Sequence, residues 1–180
     1  MKKLLLVILS ILIVVAAGLA VLYCKNSRKI AAGVTNFDEC AAAGHPILES
    51  YPRSCKTPDN RTFTEYIGNE LEKQNLIRIS TPRPNTLVSS PLVVTGEARG
   101  FWFFEASFPV KILDSNGVEL GIGIAQAKSD WMTENFVPFE ATLEFAMPTV
   151  KNGILILERD NPSGLPENAD SLSVPVKFSN

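Results

Sequence analysis

The sequence predicts a mainly β protein whose C-terminal part is an antiparallel β-sandwich. Between residues 76 and 178, about seven short segments rich in β-branched and aromatic residues follow one another, separated by turn-forming residues. Apolar and polar residues alternate within most of these segments, as in a strand with one buried face. No helical period lies between them. This combination is typical of two antiparallel sheets packed face to face.

The composition argues against one class of protein, the nucleic-acid-binding proteins. The chain has 180 residues, of which 46% are hydrophobic and 20% charged, and its formal net charge is -2. Basic residues are neither in excess nor clustered, which argues against a nucleic-acid-binding protein. The length leaves room for one ordinary domain with small additions.

The N-terminus carries a long apolar stretch. Leu4 to Tyr23 is a run of 20 residues without a charge, which matches the length that crosses a hydrocarbon core. We therefore predict a transmembrane signal anchor over residues 1–24 and a linker over residues 25–35. This makes a single-pass protein of the cell membrane with residues 25–180 outside the cytoplasm. The alternative is a cleaved signal peptide and a secreted product, but the run exceeds the usual h-region of such peptides.

Two cysteines, Cys40 and Cys55, follow the linker. A lone pair in a short, loop-rich segment outside the cytoplasm is more often a disulfide than a metal site. Zinc prefers four ligands, and beyond these two thiols the sequence offers one histidine, His45. We therefore predict a disulfide and no metal.

Residues 36–68 around these cysteines predict a small module. A helix is expected to begin after the N-cap residue Asn36 and to end at Gly44. Two β-like runs on either side of the turn signal at Pro58 predict a hairpin. We therefore predict a short helix that the disulfide links to this hairpin.

The stretch FWFF, at residues 101–104, raises the question of a ligand platform. If the strand continues through it, alternation places Trp102 and Phe104 in the core and Phe101 and Phe103 on the outside. The two outward rings then either form an exposed aromatic binding patch or cover bare positions on a neighbouring strand.

Those bare positions belong to the next segment. Alternation there predicts Ile122 and Ile124 inward, with Gly121 and Gly123 outward. In contrast, the run ILIL at residues 154–157 is apolar on both faces, which predicts a central or covered strand.

The longest irregular stretch of the sandwich, residues 160–170, joins two strands and therefore lies at one end of the fold. Sandwich folds place recognition loops there. We take Asp160, Asn161 and Glu167 as candidate binding residues. Trp131, in another connection, is a further candidate, although a tryptophan there can equally close the end of the core.

The chemistry of an enzyme is largely missing. With one histidine, His45, any Ser-His-Asp system would have to pass through it. There is no Gly-rich phosphate loop followed by a helix. We therefore predict no catalytic residue and no cofactor. The carboxylates at residues 160, 167 and 170 are compatible with the two acidic groups of a glycosidase. The turns at residues 114–117 and 160–161 contain oxygen atoms that could bind calcium, but the same residues are also common turn formers.

Three stretches carry a resemblance to a known family: SPLVVTGEARGFWFFEASFPVKILDSNG, WMTENFVPFEATLEF and LILERDNPSGLPENADSLSVPVKF. Together they resemble the immunoglobulin-like domain associated with bacterial spore germination, over residues 77–178. The resemblance implies an extracytoplasmic immunoglobulin-like β-sandwich without enzymatic activity, acting as a binding or assembly module. The two-cysteine segment is similar to small modules that precede other domains in exported bacterial proteins.

These observations lead to one functional expectation. We expect a membrane-anchored, non-catalytic binding or assembly module of the bacterial cell envelope, which recognises a protein or cell-wall partner through the loop at residues 160–170 and the rings of Phe101 and Phe103. The alternatives are a cell-wall glycan hydrolase and a purely structural spacer of the envelope.

Overall fold

A computed structural model of the chain describes residues 11–23 and 33–179. Residues 11–23 are helical, with exposed side chains. Within the described ranges, no helix has the length and apolar character needed to cross a membrane. Of the predicted anchor over residues 1–24, residues 1–10 and 24 lie outside these ranges, and of the predicted linker over residues 25–35, residues 25–32 do. The chain divides into two compact units, Met1–Tyr66 and Ile67–Asn180.

The first unit is built on a disulfide. Its helix α1 (Phe37–Ala42) is followed by the strands β1 (Ile47–Leu48), β2 (Ser54–Lys56) and β3 (Thr62–Thr64), which form a sheet in the order β1-β2-β3. The predicted helix is confirmed, because the Asn36 side chain accepts a hydrogen bond from the Glu39 amide and caps its first turn. The predicted hairpin is present as β2 and β3, with β1 added at its edge. The predicted disulfide between Cys40 and Cys55 is also present.

The second unit contains a short helix and eight strands. They are α2 (Glu70–Lys73), β4 (Ile77–Thr81), β5 (Leu87–Val88), β6 (Leu92–Arg99), β7 (Ser107–Asp114), β8 (Glu119–Ala127), β9 (Phe136–Leu143), β10 (Asn152–Glu158) and β11 (Ser171–Phe178). Hydrogen bonds connect them in the order β4-β6-β9-β8-β7-β10-β11-β5, antiparallel except that β5 runs parallel to β11. The predicted mainly β fold is thus confirmed, although eight strands in one hydrogen-bonded sheet replace the predicted seven or so in two sheets.

This single ladder curls into two layers between β8 and β9. Only two residue pairs join these strands, Gln126 with Glu140 and Ala127 with Phe139. Beyond that junction the regular pairing stops, although the main chain of residues 142–144 stays close to Gly121 and Gly123 of β8. The strands β4-β6-β9 thus form one layer and β8-β7-β10-β11-β5 the other. The apolar rows of both layers fill the space between them, including the fully buried Trp102, Phe108 and Leu155.

Alternation predicts the inner rows of most strands correctly. In β9 and just beyond it Ala141, Leu143 and Phe145 are buried, and in β11 Leu172, Val174, Val176 and Phe178 are buried. The predicted central position of residues 154–157 is confirmed, because β10 pairs with β7 on one side and β11 on the other.

Strand β8 has the opposite orientation to the prediction. Gly121 and Gly123 face inward, while Ile122 and Ile124 are 53% and 50% exposed. The reason is a close approach of main chains: a Cβ on Gly121 would lie 2.5 Å from the Glu144 carbonyl oxygen. An inward side chain has no room there. The glycines therefore allow the two main chains to approach each other. The prediction that aromatic rings cover these glycines from outside is wrong.

The part of the β11 edge that β5 leaves unpaired is covered by a segment of the same unit. The Asn69 side chain accepts a hydrogen bond from the Ser173 amide at 2.7 Å and donates to the Ser171 carbonyl at 3.0 Å. The Asn69 amide donates to the Ser173 carbonyl. Gly68, with φ +76°, permits this approach, since a Cβ on it would lie 1.8 Å from the Ser173 oxygen. One asparagine thus occupies the place of a pairing strand at an otherwise open edge.

Candidate functional site

Three connections meet at one end of the sandwich. They are residues 100–106 between β6 and β7, residues 128–135 between β8 and β9, and residues 159–170 between β10 and β11. The strand registers place them together, because Arg99 pairs with Phe136, Ser107 with Gln126, and Glu158 with Ser171. We call these three connections the loop end. Every binding residue suggested by the sequence lies in it.

The FWFF stretch does not continue a strand. Residues Gly100–Trp102 form a single 3-10 turn, and β7 begins only at Ser107. Between them, Phe104 and Ser107 exchange two main-chain hydrogen bonds of 3.0 Å across a two-residue turn. The chain therefore rotates between Gly100 and Ser107, and the period-two assignment of faces fails there.

The rotation changes which rings are exposed. Trp102 is fully buried as predicted, but Phe103 is also buried, at 4% exposure, with its ring 5.1 Å from that of Phe108 in an edge contact. Phe101 and Phe104 are 48% and 43% exposed. The predicted outward position is therefore right for Phe101 and wrong for Phe103, and the predicted burial of Phe104 is wrong.

The turn after Phe104 has unusual backbone angles. Glu105 and Ala106 both have positive φ, 48° and 61°, which is the pattern of a type I′ turn. Such turns favour Asn and Gly, because other side chains meet steric hindrance in this region. Since the sequence has neither residue at these positions, the turn was not recognisable. Its effect is to hold the ring of Phe104 at the tip of the loop end.

Cross-loop hydrogen bonds fix the three connections relative to one another. The Gly100 amide donates to the Asn135 carbonyl at 3.2 Å, and the Asp160 amide donates to the Trp102 carbonyl at 3.1 Å. Gly100 is required at its position, because a Cβ there would lie 2.2 Å from the Trp131 carbonyl oxygen. The loops therefore form one rigid surface instead of three independent segments.

Arg159 links the third connection to the first. Its Nε donates to the Phe101 carbonyl at 3.3 Å, and its guanidinium lies 5.7 Å from the centre of the Phe101 ring. Such a cation–π contact holds the ring in place while leaving its other face open. A basic residue after a strand carries no local signal of this role, so the part played by Arg159 is not recognisable from the sequence alone.

The remaining candidates occupy different environments. Trp131 is partly buried and packs against the core. Asp160 and Asn161 are half-buried, and the Asn161 side chain donates to the Leu165 carbonyl within the third connection. Glu167 is exposed in a short 3-10 turn. Trp131 and Asn161 thus help to shape the loop end, whereas Glu167 offers its side chain to solvent.

The exposed surface of the loop end combines large apolar side chains with charged ones, among them Glu105, Asp130, Glu134 and Glu167. Besides Phe101 and Phe104, Met132 is 77% and Leu165 is 50% exposed. No group of three or more metal-ligating side chains occurs in the described part of the chain. The arrangement suits non-covalent contact: apolar side chains held on loops that are already ordered.

Comparison with known proteins identifies the family of the sandwich. Residues 76–164 match the family Gmad2, described as the immunoglobulin-like domain of bacterial spore germination. The match covers β4 to β10, and β11 completes the sheet beyond it. Among curated proteins and among solved structures, none matches the chain. Residues 76–164 of this chain are therefore similar to the Gmad2 immunoglobulin-like domains.

Proposed function

We propose that this chain is a non-catalytic binding module of the bacterial cell envelope and that the loop end binds a protein or cell-wall partner. The observation that carries the proposal is the group of four exposed apolar side chains, Phe101, Phe104, Met132 and Leu165, at one end of a rigid sandwich. Exposed apolar patches of this kind mark interaction sites. The apolar N-terminal stretch supports attachment of the chain to the cell membrane.

The energetics of such a surface are favourable for binding. Covering the exposed half of a large apolar side chain contributes roughly 1 kcal/mol, so the four together contribute several kcal/mol. Because cross-loop hydrogen bonds already hold the loops, little conformational entropy remains to be lost when a partner binds. A preformed patch therefore converts more of its buried area into affinity than a mobile loop would.

Replacement of the two exposed rings tests the proposal. The variant Phe101→Ser/Phe104→Ser removes the aromatic part of the patch, and Val93→Ser/Val118→Ser is a matched control, since those side chains are 47% and 56% exposed elsewhere on the domain. In affinity capture from envelope extracts, we expect the first variant to lose the partners of the wild-type chain and the control to keep them. If a folded Phe101→Ser/Phe104→Ser variant keeps the same partners, the loop end is not the site.

A hydrolysis assay separates this function from that of a glycan hydrolase. Asp170 forms an ion pair with Lys73 at 2.5 Å and accepts a hydrogen bond from the Ser171 amide, so its contacts are those of a structural residue. We expect the purified chain to release no fragments from cell-wall material. Release that disappears in Asp160→Asn/Glu167→Gln would instead establish an enzyme.

A further inference from the structure

The outer face of the five-stranded layer is the second apolar surface of the domain. The central strand β10 presents Ile154 and Ile156 there, half-buried, whereas Leu155 and Leu157 face the core. The registers place Ile154 between Pro175 and Leu113, while Ile156 lies between Ser173 and Lys111. The outward apolar residues continue onto β8, because Lys111 and Pro109 of β7 pair with Ile122 and Ile124 of β8.

The opposite layer shows what an outer face exposed to water looks like in this domain. On β4, β6 and β9, the outward positions include Arg78, Glu97 and Glu140. Arg78 and Glu97 form an ion pair of 2.8 Å there. Both faces carry an ion pair, so the difference between them lies in the larger number of outward apolar side chains on the five-stranded face, which favours a partner there.

The charges on the apolar face suggest what covers it. Lys111 and Glu158 lie side by side on β7 and β10 and form an ion pair of 2.9 Å, with side chains 29% and 34% exposed. Suppose that two copies face each other and that a two-fold axis in the plane of the interface runs between these two side chains. Lys111 of each copy then lies opposite Glu158 of the other copy. A pair of neighbouring opposite charges is thus self-complementary, which is the requirement of an isologous interface.

We propose that this face, formed by the outward residues of β8, β7, β10 and β11, is the interface of a homodimer. The proposal goes beyond the binding function of the loop end and does not depend on it. Four strands about 4.8 Å apart and about seven residues long cover roughly 450 Å² in projection. Over both copies this makes about 900 Å², below the roughly 1,200 Å² of stable specific interfaces, so we expect a weak, reversible dimer.

Complementary charge reversal tests the two-fold arrangement directly. Two differently tagged full-length chains are produced in the same cells, fixed with formaldehyde, and co-captured through one tag. Two copies of Lys111→Glu, or two copies of Glu158→Lys, place like charges opposite each other, which lowers co-capture by about tenfold or more. Lys111→Glu paired with Glu158→Lys restores opposite charges, and we expect co-capture to return to within about twofold of the wild-type level.

Controls distinguish the interface from other causes. Arg78→Glu and Glu97→Arg reverse the ion pair on the opposite face and are expected to leave co-capture unchanged. Ile124→Asn should lower it and Val93→Asn should not. Urea unfolding of each variant establishes that the domain is folded. Three results overturn the proposal: no co-capture of wild-type chains, co-capture insensitive to Lys111, Glu158 and Ile124, or loss that the mixed pair fails to restore.

Discussion

Asn69 gives the sharpest stability prediction, because one side chain takes the place of a neighbouring strand. The variant Asn69→Ala removes the acceptor of the Ser173 amide, at 2.7 Å, and the donor to the Ser171 carbonyl, at 3.0 Å. A hydrogen bond of this kind contributes about 0.5–1.5 kcal/mol net. We therefore expect the free energy of unfolding of the second unit to fall by about 1–3 kcal/mol.

Two measurements check this value. Urea unfolding gives the change in free energy, and a loss of about 2 kcal/mol corresponds to a melting temperature lower by roughly 6–10 °C for a domain of this size. Hydrogen exchange reports on the edge itself. The Ser173 amide should exchange faster in Asn69→Ala by more than the global destabilisation explains, because the edge opens locally.

Asn75→Ala is the matched control. Asn75 is exposed and lies in the same segment, so its replacement should change the free energy of unfolding by less than about 0.5 kcal/mol. If Asn69→Ala is as mild as this control and leaves the exchange of Ser173 unchanged, then water satisfies the edge of β11 equally well. Asn69 would then not take the place of a strand.

Three further predictions concern a glycine, a turn and a carboxylate. Gly123→Ala should destabilise the second unit by about 1–3 kcal/mol in urea unfolding, because the new Cβ would lie 3.0 Å from the Thr142 carbonyl oxygen; an unchanged midpoint would contradict the inward orientation of β8. Glu105→Asn/Ala106→Gly should raise the melting temperature, since both positions have positive φ and relief of this hindrance is worth about 1 kcal/mol. Hydrogen bonds from the Val118 and Asn116 amides hold the pKa of Asp114 below its ordinary value. Its folded-state pKa is lower than its unfolded-state pKa, so its contribution to stability is full above the unfolded value and is lost as the pH falls through the folded value. Asp114→Asn should accordingly flatten the acid side of the stability profile, and an identical profile would contradict this assignment.

Much of the β-sandwich was predictable because its strands obey simple alternation. In β11 every second residue is apolar and buried, and in β10 an apolar run on both faces indicated a central strand. Local signals also sufficed for α1, whose cap at Asn36 is visible in the sequence. These elements are determined by burial and by capping, and both leave a readable pattern.

The errors arose where contacts between main chains decide the structure. Alternation alone does not show which row of β8 faces inward. Gly121 and Gly123 face inward because the main chain of residues 142–145 lies too close for a side chain at these positions. At the loop end, Glu105 and Ala106 form a turn without the residues that usually signal one. Phe103 was consequently assigned to the surface and Phe104 to the core. The position of the candidate site was predictable from the long connection at residues 160–170, but its exposed side chains were not.

The junction between β8 and β9 has a consequence for how this domain can vary. The two layers are joined by two residue pairs at the loop end, and farther along they meet through positions that have no side chain. Because main chain and glycines form this junction, no side-chain contact in it can be replaced by a different one. Replacements at the exposed positions of the three connections can therefore alter what the loop end binds without changing this junction. At Gly121 and Gly123, in contrast, any other residue has to displace the neighbouring main chain and destabilises the fold that presents them.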